Sequence, residues 1–99
     1  MKLANKTTGI RVTDAPDAQK YTYASLIWEM FSGKRFDADG LLKAFEIRER
    51  MHAPSGEELP DIELNSELTR FLREVIDSHD WPVHADIVEF IKDVREADK

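Results

Sequence analysis

Leu68-Thr69-Arg70-Phe71-Leu72-Arg73-Glu74-Val75-Ile76 decides the fold. Leu68, Phe71, Leu72, Val75 and Ile76 fall at i, i+3, i+4, i+7 and i+8, the period that lays one apolar stripe along an α-helix. Asn65 stands before it as an N-cap, a side chain able to accept from the free N–H groups of the first turn. No other segment is as regular, and a stripe this wide needs other helices to cover it. Downstream, Asp80-Trp81-Pro82 ends one element and starts the next. Ile87, Phe90, Ile91 and Val94 mark a final helix over about residues 82–96, with Val83 and Val88 at its margin and Asp80 as its cap. His79 suits the C-terminal end of the preceding helix, where a cation meets the negative end of the dipole.

Upstream lies a connector, residues 52–64, holding Pro54, Ser55, Gly56 and Pro60 together with Glu57, Glu58, Asp61 and Glu63. It exceeds the ~2–8 residues usual between packed helices, and connectors of that length are functional or mobile. Phe36-Asp37-Ala38-Asp39 opens an earlier helix that either aspartate can cap. Leu41, Leu42, Phe45 and Met51 are its expected buried face, and Gly40 weakens its first turn by roughly 1 kcal/mol relative to Ala. Before it, Asp14, Pro16 and Asp17 read as a helix start, Tyr23, Leu26, Ile27 and Met30 as an apolar stripe, and Gly33 as the stop. The first helix is therefore expected over about residues 15–32. Tyr21, Trp28 and Phe31 widen its stripe, which leaves one or two of them at the surface as anchors for a partner. In residues 1–13 only Gly9-Ile10-Arg11-Val12-Thr13 alternates, which predicts an arm with one short strand. The expected fold is all-α: a three-to-four-helix bundle at residues 14–99 with a short N-terminal extended segment at 1–13.

Composition bounds the function. Ninety-nine residues suffice for one core, since a domain this size buries roughly two thirds of its unfolded surface. No apolar run approaches the ~20 residues of a membrane span. Met1-Lys2-Leu3 leads into the polar Asn5-Lys6-Thr7-Thr8, so no signal peptide is expected. Without cysteine there is neither a disulfide nor a thiolate, and a cytoplasmic protein is expected. The formal net charge is −6, and it is unevenly spread, with residues 1–56 at +2 and residues 57–99 at −8. Nucleic-acid binding draws on Lys and Arg to neutralise phosphate. A half at −8 repels phosphate and suits a basic protein surface, including one that ordinarily holds nucleic acid.

The connector carboxylates Glu57, Glu58, Asp61 and Glu63 are the leading candidate site, with Leu59 and Ile62 anchoring the segment inward. An acidic extended segment approximates the phosphate spacing of a nucleic-acid strand and offers charge-assisted hydrogen bonds to an Arg/Lys groove. Glu67, Glu74 and Asp77 would continue that face, and Trp28 is the candidate aromatic anchor. His79-Asp80-Trp81-Pro82-Val83-His84-Ala85-Asp86 contains metal-ligand types, but Pro82 breaks the helical spacing, so helix punctuation is the expected role. No metal or cofactor is expected. Lys34, Arg35, Lys43, Arg48 and Arg50 are interleaved with Glu46 and Glu49, which favours intrahelical pairs over a phosphate site. No nucleophile, paired-carboxylate or phosphate-loop motif is present, so the chain is expected not to be an enzyme.

Leu26–Gly33, Phe36–Phe45, and Leu68–Ile76 before Trp81-Pro82-Val83 resemble the helix-turn-helix units of bacteriophage and bacterial proteins. That resemblance implies a regulator reading DNA through Arg70, Arg73, Lys34 and Arg35. Two departures stand against it: residues 52–64 occupy the turn, and Glu67, Glu74 and Asp77 share the reading helix. In size, acidity and lack of a catalytic signature the chain also resembles the small phage anti-CRISPR inhibitors. That resemblance implies a non-catalytic protein, monomer or homodimer, whose acidic surface blocks nucleic-acid access to an RNA-guided surveillance complex. A third expectation is an assembly factor that dimerises through its aromatic helix.

Overall fold

The computed structural model describes residues 1–97. Its elements run β1 (Lys2–Ala4), β2 (Thr7–Arg11), β3 (Lys20–Thr22), α1 (Tyr23–Ser32), α2 (Ala38–Arg50), β4 (Asp61–Glu63), α3 (Ser66–Ser78) and α4 (Ala85–Glu96). The fold is α+β, not all-α: four helices stand beside two antiparallel two-stranded sheets, β1–β4 and β2–β3. Three-residue strands explain the miss. Leu3 opposite Ile62 is the one inward pair of the β1–β4 ribbon, and one pair leaves no visible alternation in either segment.

The stretch taken as the start of the first helix is a hairpin loop. β2 and β3 pair at Thr7↔Thr22 and Arg11↔Lys20, with a register shift between. Val12 N–H donates to the Gln19 carbonyl at 2.8 Å, and Ala18 N–H to that of Ala15 at 3.0 Å. Pro16 therefore sits second in a tight turn, where its fixed φ is as well suited as in a first helical turn. α1 begins only at Tyr23, with Thr22 and Ser25 forming a reciprocal capping box. From there the expected stripe holds: Tyr23, Leu26, Ile27 and Met30 are buried, and Phe31 joins them.

α3 packs between α2 and α4. Leu68, Leu72, Val75 and Ile76 are buried and Phe71 is half-buried. Asn65 Oδ1 accepts from Leu68 N–H at 2.9 Å. α4 buries Ile87, Phe90 and Val94. Its cap is His84, whose Nδ1 accepts from Asp86 N–H at 3.1 Å, in place of the expected Asp80. Pro82 and Val83 precede the helix and stay exposed.

Of the expected face of α2 only Met51 is buried. Asp37 caps the helix, Oδ1 accepting from Gly40 N–H at 2.7 Å. The buried residues are then Gly40, Ala44, Ile47 and Met51, while Leu41, Leu42 and Phe45 are exposed. A Cβ on Gly40 would lie 3.1 Å from Asp37 Oδ1 and 3.2 Å from the Phe36 side chain. The glycine that weakens the turn is what lets Phe36 fold over it. α2 and α3 are separated by residues 51–65, which contain β4, so the short turn of a helix-turn-helix unit is not formed.

Residues 1–13 hold two strands. Met1 N donates to the Leu64 carbonyl at 2.8 Å, and Lys6 Nζ meets Asp93 of α4 at 2.9 Å. The Tyr23 hydroxyl donates to the same Asp93 Oδ2 at 2.7 Å. Burial works to raise the Asp93 pKa, but these two partners outweigh it and hold the carboxyl below its usual range. The joint ties the N-terminal ribbon and α1 to α4.

Candidate functional site

The acidic connector is fixed in place from end to end. Ala53 N–H donates to the Glu57 carbonyl at 2.7 Å and Gly56 N–H to that of Ala53 at 2.8 Å, closing a turn. Gly56 takes φ +91°, a conformation that costs glycine little. His52 and Glu58 form an antiparallel bridge. Leu59 N–H donates to the Met51 carbonyl at 2.9 Å and Asn5 N–H to that of Pro60 at 2.9 Å. β4 then pairs with β1, and Ile62 is wholly buried while Leu59 is half-buried. Strand alternation turns Asp61 and Glu63 to the face opposite Ile62.

The eight residues expected to meet a partner do not form one row. Glu58 is a bracket: its Oε1 accepts from Thr22 Oγ1 at 2.6 Å and from Asn5 Nδ2 at 3.0 Å. Glu63 pairs loosely with Lys2 at 3.9 Å, Glu67 with Lys43 at 3.4 Å, and Asp77 with Arg95 at 2.7 Å. The hydrogen bond that Lys43 donates to Glu67 raises the Lys43 pKa, partly offset by burial. Exposed pairs of this kind contribute little to stability and can be exchanged for a partner's cations. Among the described residues, Glu57, Asp61 and Glu74 meet no Lys or Arg within ion-pair distance. The connector thus brings Glu57, Glu58, Asp61 and Glu63 onto one ribbon. Glu67, Glu74 and Asp77 lie apart on α3, the last two lining a shallow groove with Arg70 and Arg73.

Trp28 is half-buried. Phe45 stacks edge-on against it at 5.3 Å between centroids, and the Arg48 guanidinium lies 4.8 Å from its ring centre. Leu41, Leu42 and Phe45 stand on the exposed side of α2, although sequence reasoning assigned them to the core. A signal for the true inward face was present: Gly40, Ala44, Ile47 and Met51 recur at i, i+4, i+7 and i+11. Their small members allow close approach of neighbouring elements, whereas ranking by side-chain size selects the opposite stripe.

Of the cations offered for DNA reading, Arg70 and Arg73 line the α3 groove together with Glu74 and Asp77. Arg73 donates through Nε and Nη2 to the Val94 carbonyl at 3.2 and 2.9 Å, fastening α3 to α4. Lys34 is half-buried in the loop after α1. His79 is the C-cap residue of α3. Burial foremost, and the Lys34 charge next, push its pKa down against the opposing pull of Asp80. Among the described residues no group of three or more His, Asp or Glu side chains is placed to hold a metal ion. Among them, too, no helix is long and apolar enough to cross a membrane. Comparison with family models, curated proteins and solved structures gives no match to this chain.

Proposed function

We propose that the chain is a non-catalytic protein-binding inhibitor that lays its acidic connector against a basic groove of another protein. In the form the anti-CRISPR resemblance implies, that groove is the nucleic-acid channel of an RNA-guided surveillance complex. The observation that carries this reading is the fixed ribbon: turn, bridge and strand hold Glu57 and Asp61 on a set backbone, and no lysine or arginine among the described residues lies within ion-pair distance of either. A preordered acidic ribbon loses less entropy on binding than a free loop does. Its carboxylates can form charge-assisted hydrogen bonds with Arg and Lys, and the net charge of −6 steers encounter with a basic surface.

The test is competition. Purified chain should displace duplex DNA from an RNA-guided nucleoprotein complex, and Glu57→Lys with Asp61→Lys should weaken that displacement at least about tenfold without lowering the melting temperature. Glu58 is left intact in this design because it fastens Thr22 and Asn5. Unchanged competition by the double variant would eliminate the ribbon as the contact. Direct binding of the chain to random duplex DNA, falling steeply with salt, would replace the proposal with a DNA-binding regulator.

A further inference from the structure

An apolar cleft of about 340 Å³ opens where the β2–β3 hairpin, α1 and the α3–α4 connection meet, away from the acidic ribbon. Leu26 and Met30 of α1 and Ile87 of α4 line it and are buried, while Tyr21 and Trp81 line it half-buried. Trp81 is fixed in place: its Nε1–H donates to the Ile76 carbonyl at 3.0 Å, and its ring meets that of Phe90 edge-on at 6.0 Å between centroids. Preformed, mostly apolar clefts from about 300 Å³ upward are the usual sites of small organic ligands.

The polar groups of the cleft set what such a ligand carries. On α1, Leu26, Glu29, Met30 and Gly33 fall at i, i+3, i+4 and i+7, one face of the helix, so Glu29 stands on the cleft side. Among the described residues no Lys or Arg lies within ion-pair distance of it. His79 also lines the cleft, and its pKa is lowered by burial first and the Lys34 charge second, against the pull of Asp80. Its imidazole is therefore neutral at pH 7, and Glu29 is the charged group of the lining. We infer that the cleft binds a small aromatic amine, with the ring among Leu26, Met30 and Ile87 beside Tyr21 and Trp81, and the ammonium against the Glu29 carboxylate. Ring pairs gain from edge-on or offset contact beyond their buried area, and an ammonium is drawn both to a carboxylate and to the negative face of an indole. A fatty acid or other carboxylate would meet Glu29 with like charge, and a neutral aromatic would leave Glu29 without a partner.

NMR of the full chain, with amide and indole shifts followed as each probe is added, tests the inference. The probes are phenethylammonium, its neutral counterpart phenethyl alcohol, and phenylpropionate. The expected result is saturable shifts at the Trp81 indole N–H and at the amides of Met30 and Gly33. Phenethylammonium should bind about fivefold more tightly than the alcohol, the gain of a partly exposed charge contact, and phenylpropionate more weakly than either. Glu29→Gln should bring the ammonium to the level of the alcohol and leave the alcohol unchanged. Gly33→Leu should abolish the shifts from both by filling the mouth of the cleft. Gly33 has φ −87°, and the nearest atom a Cβ there would meet is the Met30 carbonyl oxygen at 4.0 Å, so the melting temperature should stay close to the parent's. No saturable shift at these groups overturns the inference, as do equal affinities of the parent for the ammonium and the alcohol. So does a preference for the ammonium that Glu29→Gln leaves standing, or binding that Gly33→Leu leaves unchanged. Shifts centred on Glu57 and Asp61 overturn it as well, since the amine would then be a counterion of the acidic ribbon.

Discussion

α2 and α3 are both thirteen residues long, both capped by an Asx side chain, and packed against each other. α3 encloses Leu68, Leu72, Val75 and Ile76 and leaves Phe71 half-buried. α2 encloses a glycine, an alanine, Ile47 and Met51, and leaves two leucines and a phenylalanine outside. The same local chemistry thus yields a core helix in one case and a surface-forming helix in the other. Periodicity tells where apolar side chains lie around a helix axis; whether a neighbour covers them is decided by the rest of the chain. In α3, both α2 and α4 are available as cover. In α2, α1 and α3 approach only the small-residue side, and Trp28 reaches just the edge of the other.

The largest expected effect is on the α3 side. Leu72 is wholly buried, so Leu72→Ala should lower the unfolding free energy by about 2–5 kcal/mol, the transfer and cavity cost of a core leucine. Urea denaturation followed by circular dichroism measures it. A loss below about 0.5 kcal/mol, within the range of surface substitutions, would mean that α3 is not the enclosed helix.

Next in size is the polar joint that holds α4 against the N-terminal ribbon, a contrast to the apolar cover of α3. Tyr23→Phe removes the hydroxyl that donates to Asp93 and should cost about 1–2 kcal/mol. The same joint should titrate while α3 does not. Asp93 has a lowered pKa in the fold: burial raises it, and the Tyr23 hydroxyl with Lys6 more than reverses this. Its contribution is therefore present above the ordinary carboxylate pKa near about 3.9 and is lost as pH falls through the lowered folded value. Urea midpoints measured downward from pH 5 should fall more steeply for the parent than for Asp93→Asn. Parallel curves would assign the acid sensitivity to other carboxylates.

Much of the helical frame could be read from the residues, because its signals are local. Asn65 before Leu68, and the stripe to Ile76, needed no knowledge of the rest of the fold. Asp14-Ala15-Pro16-Asp17 failed for a specific reason: Asp, Pro and Asp serve a tight turn as well as a helix start, and Lys20-Tyr21-Thr22 becomes a strand only by pairing with β2. β1 and β4 lie 57 residues apart at their closest paired positions, Ala4 and Asp61, and a three-residue strand has no signature of its own. At the candidate site, the acidity of residues 57–63 was plain from composition. That Glu58 is a bracket, and that Glu67 and Asp77 have basic neighbours, depends on Thr22, Lys43 and Arg95, none of them near in sequence.

The caps offer a comparison in which the two helices should agree. Asp37 and Asn65 each accept from the backbone N–H three residues on, at 2.7 and 2.9 Å. Asp37→Ala and Asn65→Ala should each cost about 1 kcal/mol, because capping is local and takes no account of what covers the helix. Thermal denaturation of the two variants side by side measures this. A cap at α2 worth much less than the one at α3 would show that the first turn of α2 is already held by Phe36 folding over Gly40.

The smallest effect belongs to the face that distinguishes α2. Leu42 is the most exposed of its three large apolar residues, at 70%, so within a single chain Leu42→Ala removes little burial. The unfolding free energy should change by no more than about 0.5 kcal/mol, measured by urea denaturation beside Leu72→Ala. A change that small would leave α2 a solvated helix with an unusually apolar exterior. A large loss would mean that Leu42 is enclosed after all, and α2 would differ from α3 only in which residues it hides.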